Sequence, residues 1–342
     1  MQFESTVQEL RQNLDPLTPI FVLVDPMLGE PLSMGGGPTN NADPQADREA
    51  MWQRPVTRIE LPERVPLTLH QHPYLVALNG VDDPLLEVTL EAAQTERAQS
   101  QEDGLEGSGA APHHIGGWLQ SSMHPPRFAR GLASLLKVNT DAQTKASYFR
   151  LADRRVLALL RHVVGDARVA SQFGRLQQWI YLDVQGKLSS LCSPGEDISP
   201  LRLSLAEWGT MEQGEELNRT IAQWLGEVAK SGNDQLQPEA LYASVYKAVS
   251  EAGQAATKWP RRFTHTIDKT IWATLTLLHP TLRKDGAAHA QMGDPGNPDE
   301  PPEPLRYMHT QLRALLQARH DRRQPPAHAS KRHSEDTHAY PK

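Results

Sequence analysis

Fourteen histidines, one cysteine and a single dense arginine cluster are the places where this chain of 342 residues could do chemistry. His70-Gln71-His72 is an H-x-H pattern. In extended chain it puts both imidazoles on one side, a geometry that zinc accepts. His113-His114 could complete a ligand set if the two loops meet. No acidic residue stands at a fitting spacing, so the competing reading is four solvated loop histidines. His320, His328, His333 and His338 lie in an apolar-poor stretch and read as surface residues. Cys192 closes a predicted strand without a nucleophile signature around it, and reads as a bystander thiol. One cysteine also excludes a disulfide framework and a four-cysteine zinc site. Neither G-x-S-x-G nor H-E-x-x-H occurs. Asp82-Asp83 and Glu215-Glu216 are adjacent pairs whose side chains diverge, which suits solvated or helix N-terminal charges better than an acid–base pair. No catalytic residue, no cofactor and no metal site is assigned.

The arginine cluster reads Tyr148-Phe149-Arg150-Leu151-Ala152-Asp153-Arg154-Arg155-Val156-Leu157, where a strand hands over to a helix. Asp153 suits the N-cap of that helix. Arg150, three residues earlier, is expected to pair with it bidentately and fix the corner. The alternative role is partner binding by an arginine.

Those residues need elements to hold them. Phe3, Val7, Leu10 and Leu14 have helical spacing, and Ile20 to Val24 is a buried strand. Residues 29 to 54 read as a Gly/Pro/Asn loop; MGGGPTNN within it lacks the GK[ST] of a phosphate cradle. Tyr74 to Leu78 is a strand, 82 to 98 a helix, 99 to 112 a polar loop and Gly116 to Gln120 a strand. Pro125 and Pro126 open a helix carrying Phe128, Leu132, Leu135 and Leu136. Ser147 to Leu151 is a strand candidate; helices over Val156–Val164 and Val169–Leu176 lead to a hairpin of Trp179–Asp183 with Lys187–Leu191. Three amphipathic helices follow Pro194-Gly195. The expected plan is α+β: an N-terminal mixed sheet-and-helix domain (1–205), a helical lobe (206–284), a Pro-rich linker (285–304), an amphipathic helix (305–320) and a disordered tail (321–342). The stripe Leu305, Met308, Leu312, Leu315 and Leu316 on that last helix must be covered, by the chain itself or by a partner.

Composition narrows the classes. The formal net charge is −6 and the pI about 6.2, which gives no global pull toward nucleic acid. From Glu303 onward there are eight Lys or Arg against four Asp or Glu, without interleaved aromatics to stack bases. No apolar run is long enough for a membrane span, and MQFESTVQELRQ has neither a basic nor an apolar signal region. A cytoplasmic protein without a membrane partner is expected.

The arginine cluster also resembles the most recognisable motif of the VgrG-associated adaptors, or effector chaperones, of bacterial type VI secretion. That family reads F-R-F-Y-D-P-R-V-L, a leucine-rich helix, F-G-P, then W-L-Y-x-D-x-x-G. Here Phe149-Arg150-Leu151-Ala152-Asp153-Arg154-Arg155-Val156-Leu157 is followed by Phe173-Gly174-Arg175 and by Trp179-Ile180-Tyr181-Leu182-Asp183 with Gly186. Arg150, Asp153 and Arg155 match; the family Pro falls on Arg154 and its Tyr on Ala152. Phe21-Val22-Leu23-Val24-Asp25, Pro73-Tyr74-Leu75-Val76-Ala77-Leu78 and Gly117-Trp118-Leu119-Gln120-Ser121-Ser122 resemble the family's earlier strands in the same order. The resemblance covers roughly residues 18 to 190. It implies a non-enzymatic adaptor that binds a cognate secreted toxin and helps load it onto a VgrG or PAAR spike protein. Arg150, Asp153, Arg155, Trp179 and Tyr181 would then be partner-binding or structural, with Leu305, Met308, Leu312 and Leu315 as helix-face candidates. Two alternatives stand beside it: a metal-dependent hydrolase using the loop histidines, and a nucleic-acid-associated regulator using the basic tail.

Overall fold

The computed structural model describes residues 2–32, 43–63, 65–141, 147–195, 200–231, 238–294 and 302–323. The first part of the chain runs α1 (Gln2–Asn13), β1 (Ile20–Val24), α2 (Gln45–Trp52), β2 (Val56–Arg58), β3 (Tyr74–Ala77), α3 (Pro84–Gln101), β4 (Ile115–Gln120), α4 (Pro125–Leu135), β5 (Lys137–Thr140) and β6 (Ser147–Tyr148). It continues through α5 (Arg154–Val164), α6 (Asp166–Ala170), β7 (Gln178–Leu182), β8 (Leu188–Cys192), β9 (Arg202–Leu203), α7 (Leu205–Glu212), α8 (Gly214–Ser231) and α9 (Pro238–Lys258). The last helices are α10 (Thr266–Leu278), α11 (Gly286–Gly293) and α12 (Leu305–Arg323). The fold class is α+β, as the sequence predicts.

A six-stranded antiparallel sheet of order β2-β3-β1-β4-β7-β8 organises the N-terminal part. Its central strand β1, Ile-Phe-Val-Leu-Val, is apolar and buried at every position because both faces are covered. Phe21, Leu23, Leu75, Leu119, Trp179 and Tyr181 pack with α4 and α5 on one side. Ile20, Val22, Val24, Tyr74, Val76 and Trp118 pack with α1 and α3 on the other. A second, three-stranded sheet of order β6-β5-β9 joins β5 antiparallel to β6 and parallel to β9.

Helix starts follow their capping residues. Asp83 accepts from Leu85 N at 3.0 Å and begins α3, while Arg54 clamps the same carboxylate through two bonds of 2.9 and 3.0 Å. Ser204 and Glu207 form a capping box at α7. One helix falls inside the predicted loop 29–54: α2, whose Arg48 bonds Glu30 and His70 O, and whose Trp52 indole donates to Tyr74 Oη at 3.0 Å. Its place depends on tertiary contacts that local periodicity does not carry. Residues 33–42 of that loop lie outside the described residues.

The chain divides into two compact units, Met1–Val249 and Ser250–Lys342. The division falls within α9, not at residue 205, so α7 and α8 belong to the first unit. In the second unit, α11 occupies part of the predicted linker 285–304; Asp285 caps it, accepting from Ala287 N and Ala288 N at 3.0 and 3.1 Å. The buried Arg262 gathers the carbonyls of Gln291, Met292, Asp294 and Glu303. The stripe of α12 faces inward: Leu305, Met308, Leu312 and Leu316 are buried and Leu315 is half-buried. Ion pairs Arg306–Asp268 (3.0 Å) and Arg319–Asp285 (2.6 Å) latch both ends of the helix. The helix-face candidates are therefore closed by their own unit rather than presented to a partner. Helix α12 reaches Arg323, so 321–323 are helical, and the rest of the predicted disordered tail lies outside the described residues.

Candidate protein-interaction site

The arginine cluster folds at one end of the central strands, where β1 ends, β4 begins and α5 starts. Three carboxylates, Asp25, Glu96 and Asp153, meet three guanidinium groups, Arg150, Arg154 and Arg155. Asp153 caps α5 as predicted, accepting from Arg155 N at 3.0 Å. Its bidentate partner, however, is Arg155 (3.0 and 2.7 Å), not Arg150. Arg150 donates instead to Asp25 Oδ2 at 2.6 Å and lies 3.7 Å from Asp153. The expected Arg150–Asp153 corner is thus a chain of alternating charges, Asp25–Arg150–Asp153–Arg155. It ties β1 to α5 across 125 residues of sequence.

Arg154, which stands where the family motif has Pro, is deeply buried. It is 3% exposed and donates to Glu96 Oε2 (2.7 Å), Ile115 O (2.7 Å) and Ala93 O (2.6 Å). Room for this approach comes from Gly116, where a Cβ would sit 2.4 Å from Ala152 O. The register of β1 against β4 shifts at the same place, and Asp25 N bonds His114 O at 2.7 Å.

Burial and charge act against each other here. Burial pushes the Asp153 carboxyl up, but Arg155 and Arg150 more than offset this and hold it below its ordinary value. Burial dominates at Asp25, which stays raised despite Arg150. His113, 3% exposed, is driven well below the usual imidazole range, first by burial and then by Arg154 and Arg155. Neither of its ring nitrogens has a hydrogen-bond partner.

The other two motif residues are also internal. Trp179 Nε1 donates to Gly116 O at 3.1 Å, and its ring meets Phe173 at 6.2 Å between centroids. Tyr181 Oη accepts from Arg161 at 2.8 Å, and Arg161 in turn grips Asp166 through bonds of 2.8 and 2.6 Å. Trp179, Tyr181, Asp153 and Arg155 thus all make scaffold contacts, and Arg150 joins them through Asp25.

The loop histidines take separate roles. His114 lies 3.1 Å from Glu96 Oε1, His113 is buried near Arg154, His70 lies within a short 3-10 turn, Leu69–Gln71, and His72 follows that turn. Among the described residues no three His, Cys, Asp or Glu side chains are placed to share a metal ion. None of their helices is long and apolar enough to cross a membrane.

An apolar groove of about 460 Å³ opens beside this scaffold, in the first unit. Phe128, Leu132 and Leu135 of α4 form one wall; Phe173, Leu176 and Leu201 form the other. Arg127, Lys137 and Arg175 stand around it, and its described lining holds no acidic residue. One stretch that resembles a family motif lines it, through Phe173 and Arg175, and a second is bonded to that stretch. Ser121 Oγ donates to Arg175 O at 3.0 Å, joining the end of the G-W-L-Q-S-S stretch to Phe173-Gly174-Arg175. Sequence reasoning placed Phe128, Leu132 and Leu135 on one helix face but gave no sign of the groove, because its walls come from five separate segments. The only local signal is a cation at each end of an apolar helix, Arg127 and Lys137. Comparison of the chain with family models, curated proteins and solved structures finds no match.

Proposed function

We propose that the protein is a non-enzymatic adaptor, of the kind its motif order resembles. In this reading it binds a cognate type VI secretion toxin in the cytoplasm of the producing cell and helps load it onto a VgrG or PAAR spike protein. One observation carries the reading: the charged motif residues turn inward and fix the scaffold, while the Phe173-Gly174-Arg175 motif and the helix after Gly117–Ser122 line an open apolar groove. A rigid sheet backed by ion pairs, with an apolar groove on its flank, suits holding a protein segment.

Co-purification tests it. The full chain is produced with the proteins encoded by neighbouring genes, and a toxin or spike-protein segment is expected to co-elute with it through size exclusion at physiological salt. If such proteins are encoded beside it, fold normally and do not bind, the proposal fails.

A further inference from the structure

From the charge and shape of the groove we infer that its occupant is an amphipathic helical segment of a partner protein, with apolar anchors and acidic residues toward both ends. This rests on the adaptor reading for the choice of a protein partner. The rest comes from three features of the groove.

The first is charge. Arg127, Lys137 and Arg175 form no ion pair among the described residues, although fifteen or more other cations in the same chain do. An apolar groove with cations unpaired among the described residues and no acid in its described lining complements an apolar segment bearing carboxylates.

The second is spacing. Arg127 stands in the first turn of α4 and Lys137 just past its end, ten residues on. At 1.5 Å per residue that is roughly 15 Å. One carboxylate or phosphate head cannot meet both. A helix with acidic residues about ten positions apart can, and its intervening i, i+3, i+4 and i+7 positions then face the groove.

The third is Gly131. A glycine inside a helix costs about 1 kcal/mol relative to alanine. A Cβ on Gly131 would meet no atom within 4 Å, and its φ is not in the left-handed region, so nothing in the chain requires glycine there. Gly131 lines the groove with Ser134, three positions on, and together they leave α4 flat where another backbone can approach. The notch is explained by what docks against it.

The test is a peptide selection. A displayed library of random peptides of about 16 residues, ~24 Å long as helices, is selected on the immobilised full chain. Enriched peptides are expected to carry apolar residues at helical spacing with Asp or Glu toward both ends. Their affinity, measured by fluorescence anisotropy, should fall at least about tenfold on Gly131→Trp and on the double reversal Arg127→Glu/Lys137→Glu, about 1.4 kcal/mol each. Gly131→Ala, which fills almost nothing, should keep affinity within about twofold, and far-ultraviolet circular dichroism shows whether each variant is folded. No enrichment, enriched peptides without acidic residues, or equal binding to folded Gly131→Trp overturns the inference. So does occupancy by a simple anionic amphiphile: laurate bound in the groove with no peptide enriched. The two proposals fail separately. Peptides that pass while no toxin or spike protein binds leave the groove assignment standing without the adaptor role. A toxin bound equally by Gly131→Trp leaves the adaptor role standing without this groove.

Discussion

Replacing Arg154 with methionine should be among the most damaging single changes in the first unit. Methionine keeps an unbranched apolar stem of similar bulk, though it is shorter than arginine. What disappears is the guanidinium that donates to Glu96, Ile115 O and Ala93 O. Glu96, 6% exposed, keeps its bond from His114 N at 2.9 Å but is left with a buried charge and no arginine. Breaking a buried pair from one side costs about 3–5 kcal/mol, mostly through the uncompensated charge that remains. The two carbonyls add to the loss, but not additively, so we expect about 4 kcal/mol in total, close to a thousandfold in the folding equilibrium. Glu96→Gln in the same chain removes the stranded charge. The double variant should therefore recover about 2 kcal/mol relative to the sum of the single changes. Native-state hydrogen exchange read on peptides from β1, β4 and α5 isolates the opening of this unit from that of the second. A cost below about 1 kcal/mol for Arg154→Met would refute the reasoning, as would single effects that add to within about 0.5 kcal/mol.

The imidazole of His113 is held well below 6.5, so below that pH the unfolded chain takes a proton that the folded chain refuses. Stability then falls as pH drops, by up to about 1.4 kcal/mol per unit, and His113→Leu should lessen the loss between about pH 6.5 and pH 5, by up to about 2 kcal/mol in urea melts. His72 and His162 are also lowered, mainly by burial, and leave a residual slope in that variant; an unchanged slope would contradict the assignment to His113. In the second unit, Asp285→Ala removes the cap of α11 and the anchor of Arg319 together. It should cost about 1–2 kcal/mol and speed amide exchange in both α11 and α12; faster exchange confined to α11 would show that Arg319 does not hold α12.

Local pattern gave away the elements whose burial is periodic or complete. Ile20–Val24 reads as a strand because both faces of the sheet are covered, and Asp153 reads as a cap because its type and position suffice. Its bidentate partner could not be read. Arg150 pairs with Asp153 at 3.7 Å as the motif spacing suggests, but its shorter bond goes to Asp25, 125 residues away, a pairing set by how β1 and β4 register. Arg154 stood out only as a departure from a pattern, yet it is a buried charge, 3% exposed, tied to Glu96 and two carbonyls. Strands β2, β5 and β9, of two to four residues, are too short to show a period. Helix α11 lay hidden between prolines. The groove drew on Gly131, a residue whose contribution is the absence of a side chain.

The inward turn of the motif charges separates two kinds of evolutionary freedom. Changing Asp25, Glu96, Arg154 or Arg155 unbalances a buried set of charges, so these positions can drift only together. The outer row of α4, Arg127, Gly131 and Ser134, bears on no such balance. Substitutions there can redirect which segment the groove accepts, one at a time, each passing through a folded protein. Under the adaptor proposal, lineages built on this scaffold could therefore exchange partners faster than they lose the scaffold.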